Sequence, residues 1–117
     1  MTQRYSGAVP FVARVHVPHG RQWQGTFDHD LISLTLAGGA EYRLPEGALA
    51  IGPGDLLHFA PGAWQDWRVA AADGWQVCYV IVDFPADRRD LLPAAEAAPG
   101  IAHFHLPAAE ADAVRAA

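Results

Sequence analysis

Residues 51–68, IGPGDLLHFAPGAWQDWR, constrain the fold most, because two turn sequences here alternate with two segments of strand length. Glycine permits positive φ and proline presets φ, so the GPGD and PG sequences predict turns. In the last segment the charged residues Asp66 and Arg68 alternate with Gln65 and Trp67. This period of two predicts a strand with Gln65 and Trp67 on its inward face.

Composition points to one small all-β domain. A chain of 117 residues can bury a single hydrophobic core, and its frequent glycines and prolines are typical of short strands joined by turns. A net charge of −5 with only eight Lys and Arg argues against direct binding of nucleic acid. The single cysteine excludes an internal disulfide. We recognise neither a signal peptide nor an apolar membrane span, so we expect a cytoplasmic protein without membrane contact.

Alternating apolar and polar residues between turn signals predict the remaining strands. The predicted strands are 11–17, 31–36, 40–44, 48–51, 56–59, 64–69, 75–82 and 101–106. Residues 93–100 are predicted to form a surface connection. Pro107 suits the first turn of a helix that would continue to residue 117.

The turn–strand–turn–strand pattern of residues 51–68 resembles the second conserved box of cupin barrels. That box places a histidine three residues after the glycine of its Pro-Gly turn, where this chain has Gln65. The first cupin box has a His-X-His pair, and this chain offers only His29. A glutamine is a poor ligand for first-row metals, and a mononuclear site needs about three protein ligands. We therefore expect neither a metal nor another cofactor.

Several segments together resemble the N-terminal effector-binding domain of AraC-type transcription regulators. These segments are LISLTLAG at 31–38, EYRL at 41–44, GPGDLL at 52–57, APG at 60–62, and the strand from Trp75 to the Phe84-Pro85 pair. The resemblance implies an all-β, cupin-like double-stranded β-helix, or jelly-roll barrel, with a short C-terminal helix. Residues 1–106 would form the barrel with its N-terminal arm, and residues 107–117 would begin a dimerisation helix. The helix-turn-helix DNA-binding domain would lie outside this chain.

The resemblance also implies a function. The chain would sense a small-molecule effector, form a homodimer and reach DNA only through the missing domain, without enzymatic activity. In the arabinose sensor of this family an N-terminal arm closes over the sugar, which suggests a similar role for residues 5–11.

The family's pocket positions identify six candidate ligand-binding residues: Gln65, Trp67, Val77, Tyr79, Arg21 and Trp23. The arabinose sensor has a histidine where this chain has Val77, so we expect a less polar or aromatic effector rather than arabinose. Two of these assignments have an alternative. Trp67 could equally be a residue that fills the core. Arg21 could be an ordinary charged residue on the surface.

One alternative function is a stand-alone, metal-dependent cupin enzyme. Its ligands would be His29, His58, and His103 or His105. Strand alternation argues against this set, because His58 alternates with Leu57 and would face out of the barrel or lie at a strand edge.

A second alternative is a storage or structural domain with a filled barrel. In that case Trp67, Trp75 and Tyr79 would pack on one another and leave no cavity. Ser33 and Thr35 share a strand face, which is either the wet side of the sheet or the wall of a polar pocket.

Overall fold

The computed structural model describes residues 3–5, 9–85 and 96–116. These residues form eleven strands and one helix: β1 (Gln3–Tyr5), β2 (Phe11–Val17), β3 (Gln22–Phe27), β4 (Asp30–Gly38), β5 (Ala40–Leu44), β6 (Gly47–Ile51), β7 (Asp55–Phe59), β8 (Gln65–Arg68), β9 (Trp75–Val82), β10 (Glu96–Ala98), β11 (Ile101–His105) and α1 (Ala108–Ala116). Within the described part of the chain, no helix is long and apolar enough to cross a membrane.

The strands form two sheets, which confirms the all-β expectation. The five-stranded sheet has the order β1-β3-β8-β5-β6, and the six-stranded sheet has the order β10-β11-β7-β4-β9-β2. Neighbouring strands are antiparallel, except that β1 pairs with β3 in parallel. Strands β2, β5 and β9 begin and end at the predicted residues, because their alternating apolar residues are closed off by turn formers.

Three strands were not predicted from the sequence. Strand β3 contains Gly25, and a glycine weakens the sequence signal for a strand because it has no side chain. The strand forms because its backbone pairs with that of β8. Strand β1 is only three residues long. Strand β10 lies within the segment predicted as a surface connection, and its Glu-Ala-Ala sequence is ordered by pairing with β11. The segment 87–90, a mixed charge run, lies outside the described residues.

The indole of Trp75 connects the two sheets. Trp75 belongs to β9 of the six-stranded sheet and is 3% exposed. Its ring meets Trp67 of the five-stranded sheet at 5.2 Å between centroids and 71°, and meets Tyr42 of the same sheet at 6.2 Å and 86°. Its Nε1 donates to Thr35 Oγ1 at 2.9 Å, so the buried indole N–H is satisfied.

A group of hydrogen bonds to the half-buried Asp55 fixes the turn before β7. Asp55 accepts a hydrogen bond from the backbone N–H of Gly52 at 2.8 Å, from His103 Nε2 at 2.9 Å and from His105 Nδ1 at 3.0 Å. Burial acts to raise the pKa of the Asp55 carboxyl. The hydrogen bonds from these three donors outweigh burial and hold the pKa below its ordinary value of 3.8.

Gly38 ends β4 where the backbone of Gly74 approaches it. Its φ is +68°, and an added Cβ would lie 1.9 Å from the carbonyl oxygen of Gly74. Gly39 N also donates to this oxygen at 3.2 Å. Only glycine therefore fits at position 38 without moving the backbone.

We predict that Gly38→Ala destabilises the fold by about 3 kcal/mol or more, because it combines a left-handed φ with a backbone clash. Gly20→Ala is the matched control, since Gly20 also has a positive φ of +86° but nothing within 4 Å of an added Cβ. We expect that control to cost about 1 kcal/mol. Urea denaturation measures both free energies of unfolding, and equal losses would contradict the clash.

We also predict that Asp55 makes stability depend on acid pH. A lowered folded-state pKa contributes stability that is present above the ordinary pKa of 3.8 and is lost as pH falls through the folded pKa. The difference in free energy of unfolding between wild type and Asp55→Asn should therefore shrink as pH falls below that value. Urea denaturation across an acidic pH series measures it, with exposed Asp73→Asn as the control. A pH-independent difference would contradict the prediction.

Candidate functional site

A cavity of about 330 Å³, partly open to solvent, lies between the two sheets. The described residues that line it are Val15, Val17, Trp23, Phe27, Leu31, Ser33, Tyr42, Gln65, Trp67, Trp75, Val77 and Tyr79. Six of these twelve residues are aromatic, so a bound molecule would mainly meet flat apolar surfaces.

The wall contributed by the five-stranded sheet is built around Trp67. In the strand register Trp67 of β8 lies opposite Trp23 of β3 on one side and Tyr42 of β5 on the other. The rings of Trp23 and Trp67 are stacked, with centroids 6.4 Å apart and planes at 26°. Phe27 continues the wall, with its ring centroid 5.4 Å from that of Trp23. Cross-strand aromatic pairs of this kind stabilise a sheet and hold each other's rings in place.

Gln65 is the polar exception in this wall. It lines the cavity, is 2% exposed and lies opposite Gly25, which has no side chain to place beside the amide. Its Nε2 has no hydrogen-bond partner among the described residues and is the one buried side-chain nitrogen or oxygen there in that condition. A buried polar group without a hydrogen-bond partner costs free energy, so an acceptor for Gln65 Nε2 would be favourable. The described residues do not provide one.

The opposite wall belongs to the six-stranded sheet. Val77 of β9 pairs with Val15 of β2, and Tyr79 of β9 pairs with Ser33 of β4. Ser33 lines the cavity, whereas Thr35 is occupied by the indole of Trp75. The face shared by Ser33 and Thr35 is therefore the inner face of the sheet, and only Ser33 contributes to the cavity.

The described lining of the cavity carries no charged residue. Burial raises the pKa of the Tyr42 hydroxyl well above its ordinary value, so this phenol also stays neutral. The cavity therefore offers a neutral, largely apolar environment with an amide and hydroxyl groups as its polar features.

The structure brings five of the six candidate ligand-binding residues to the cavity. They are Trp23, Gln65, Trp67, Val77 and Tyr79. Arg21 is exposed and is absent from the lining, because it lies in the turn before β3 and its backbone carbonyl accepts from Val69 N at 2.8 Å. Contact with a ligand remains a prediction for these residues.

Sequence reasoning did not assign six lining residues: Val15, Val17, Phe27, Leu31, Tyr42 and Trp75. It left Ser33 open between the wet side of the sheet and the wall of a pocket. Strand alternation grouped several of these residues on common faces. The missing information was which face of each strand turns toward the opposite sheet, and that depends on how the sheets pack.

The observed packing agrees with only one part of the filled-barrel alternative. Trp67 does pack edge-on against Trp75, as that alternative required. Tyr79 instead has its ring 6.0 Å from Phe11, and the cavity remains beside it. Trp67 thus fills part of the core and also lines the cavity.

The histidines of the metal-enzyme alternative lie at separate places. His29 Nδ1 is 2.7 Å from Asp83 Oδ1, and His58 Nε2 is 2.9 Å from Asp30 Oδ1. His58 was expected to face out or lie at an edge, yet it is 6% exposed, because it packs beside Asp30 and the ring of Phe84. His103 and His105 both contact Asp55, as described above. Within the described chain, no group of three or more His, Cys, Asp or Glu residues has the geometry to hold a metal ion.

Comparison with known proteins finds structural similarity only. No protein-family model matches the chain, and no curated protein sequence is significantly similar to it. The structure of apo ToxT K231A from Vibrio cholerae matches 92% of this chain and 46% of its own, with a TM-score of 0.68 and 9% identity. Wild-type V. cholerae ToxT bound to an unsaturated fatty acid matches 94% of this chain and 46% of its own, with a TM-score of 0.62 and 8% identity.

A cupin domain from Bordetella pertussis is a further structural neighbour. It matches 62% of this chain and 80% of its own, with a TM-score of 0.51 and 13% identity. The present chain spans less than half the length of the ToxT chains. At these identities the similarity shows the fold alone. The chain has the fold of cupin domains and of the N-terminal domain of ToxT, an AraC-family protein, in agreement with the resemblance found in the sequence.

Proposed function

We propose that this chain is the ligand-sensing domain of an AraC-type transcription regulator and binds a small-molecule effector between its two sheets. The observation that carries the proposal is the partly open, aromatic-walled cavity with a buried amide that lacks a partner. Its volume is at the lower end of the roughly 300–1,000 Å³ typical of small-molecule sites. The fatty acid bound by ToxT, a protein of the same fold, is in keeping with such a role.

The strand order supports the finer description of the fold as a double-stranded β-helix. Strands β3, β8 and β5 are neighbours in one sheet, and β7, β4 and β9 are neighbours in the other. Successive strands thus alternate between the sheets over much of the chain, as expected for a jelly-roll barrel. In this proposal α1 begins a dimerisation helix, the chain forms a homodimer, and DNA is contacted by regions outside this chain.

The proposed mechanism is binding without turnover, in the cytoplasm and without a cofactor. An effector shifts a regulator between two states only if it binds one state more tightly than the other. Here the differential contacts would be made by the aromatic wall around Trp67 and by Gln65. Val77 adds no polar group where the arabinose sensor has a histidine, so the effector is proposed to be something other than arabinose.

A thermal-shift screen against sugars, aromatic compounds and divalent metals tests this proposal. An effector present at 100 times its dissociation constant should stabilise the protein by about 2.7 kcal/mol. Trp67→Ala should abolish the shift, and Val77→Phe should weaken it by filling the cavity. Trp64→Ala is the matched control, because Trp64 is 46% exposed and absent from the lining. Stabilisation by a metal alone, lost in His29→Ala or His58→Ala, would favour the metal-dependent enzyme instead.

We further predict that Gln65→Leu stabilises the ligand-free protein by about 1 kcal/mol. The substitution replaces a buried amide that lacks a partner with an apolar side chain of similar size. Urea denaturation without ligand measures the change. The same substitution at exposed Gln24 should change stability by less than about 0.5 kcal/mol. A destabilised Gln65→Leu would show that the amide is satisfied within the protein.

A further inference from the structure

We infer that the effector is an uncharged, mainly apolar molecule that presents one carbonyl-type hydrogen-bond acceptor to the amide of Gln65. This inference rests on the proposed function, because it names the chemical class of ligand for the same cavity. It follows from three observations: the free amide donor, the absence of charge in the described lining, and the aromatic walls.

The donor is the first observation. Gln65 Nε2 is a donor only, and no described residue accepts from it. The terminal torsion of a glutamine side chain is broad and roughly two-fold, so the amide can turn toward the cavity. Nε2 has no partner to lose in that turn. A ligand acceptor would therefore gain a hydrogen bond at no cost of an existing one to Nε2.

The neutral lining is the second observation, and it argues against an anion. A carboxylate that enters a cavity without a cation loses its hydration and gains no ion pair. Arg21, the one basic residue among the sequence candidates, is exposed and absent from the lining. The chain also carries a net charge of −5, which disfavours the approach of anions. A ketone, ester or amide avoids both costs and still accepts a hydrogen bond.

The aromatic walls are the third observation. The stacked pair of Trp23 and Trp67 forms part of one wall, and Val15 and Val77 form part of the opposite one. These surfaces suit a ring or an alkyl chain. Aromatic faces also attract cations, but a cationic headgroup would leave Gln65 Nε2 without an acceptor. The combination therefore favours a neutral acceptor over a cation.

The size of the cavity limits the ligand. Its volume of about 330 Å³ suits a small molecule. A single ring with a short side chain fits this space, and so does an alkyl chain of similar size.

Isothermal titration calorimetry at neutral pH with matched probes tests the inference. The first set shares a phenylethyl group: benzylacetone, hydrocinnamate, butylbenzene and phenethyltrimethylammonium. The second set shares a hexyl chain: methyl hexyl ketone and heptanoate. We expect each ketone to bind about tenfold or more tightly than its carboxylate. Benzylacetone should bind about fivefold more tightly than butylbenzene, the gain from one net hydrogen bond.

Variants assign that gain to Gln65. In Gln65→Leu the affinity for benzylacetone should fall below that for butylbenzene, because its carbonyl then loses its hydration without gaining a partner, while butylbenzene binds at least as well as to wild type. Gln24→Leu, the same substitution on the outer face of the neighbouring strand, should leave both affinities unchanged. The unfolding transition of each variant, measured in parallel, confirms that it is folded.

Each other outcome overturns a defined claim. Tighter binding of a carboxylate or of phenethyltrimethylammonium would overturn the neutral-ligand inference and leave the cavity as a binding site. Equal binding of benzylacetone and butylbenzene to wild type would overturn only the claim that Gln65 donates a hydrogen bond to the ligand. Failure of every probe in both sets to bind would overturn the proposed function together with this inference.

Discussion

The bridging position of Trp75 determines the shape of the interior. Its indole is rooted in β9 of one sheet, contacts Trp67 and Tyr42 of the other, and is held in orientation by its hydrogen bond to Thr35. A side chain fixed in this way acts as a spacer, because it cannot rotate away without leaving a buried N–H unsatisfied. The sheets are thus kept apart beside Trp75, and the cavity exists where smaller residues such as Val77 and Ser33 face the opposite wall.

The position of β8 determines what the cavity presents. Because β8 lies between β3 and β5, its two inward residues occupy the middle of one wall. Trp67 is flanked by aromatic rings on both neighbouring strands, whereas Gln65 lies beside Gly25. The glycine that obscured β3 in the sequence thus places no side chain next to the amide. One strand therefore combines a rigid apolar surface with an unsatisfied polar group.

Local sequence patterns predicted most strands, and the family resemblance named five residues that the structure places in the cavity lining. The period of two in β8 was enough to place Gln65 and Trp67 on one inward face, since that inference needs only backbone geometry. Two kinds of information were not local. Strands β3 and β10 are ordered by pairing with distant segments, and the burial of His58 depends on Asp30, which is 28 positions away. The contribution of Ser33 but not Thr35 depends on Trp75, 40 positions from Thr35.

The distribution of charge follows from the same two-sheet arrangement. The buried carboxylate Asp30 and the half-buried carboxylate Asp55 are each paired with histidines outside the cavity lining. Each of these carboxylates accepts hydrogen bonds from neighbouring protein groups, so neither needs a ligand as a partner. Gln65 differs because its inward face leaves its donor without such a partner among the described residues. Since natural cores rarely keep an unsatisfied buried amide where an apolar residue fits, the proposed ligand, by accepting its hydrogen bond, would give this residue a physical reason to be there.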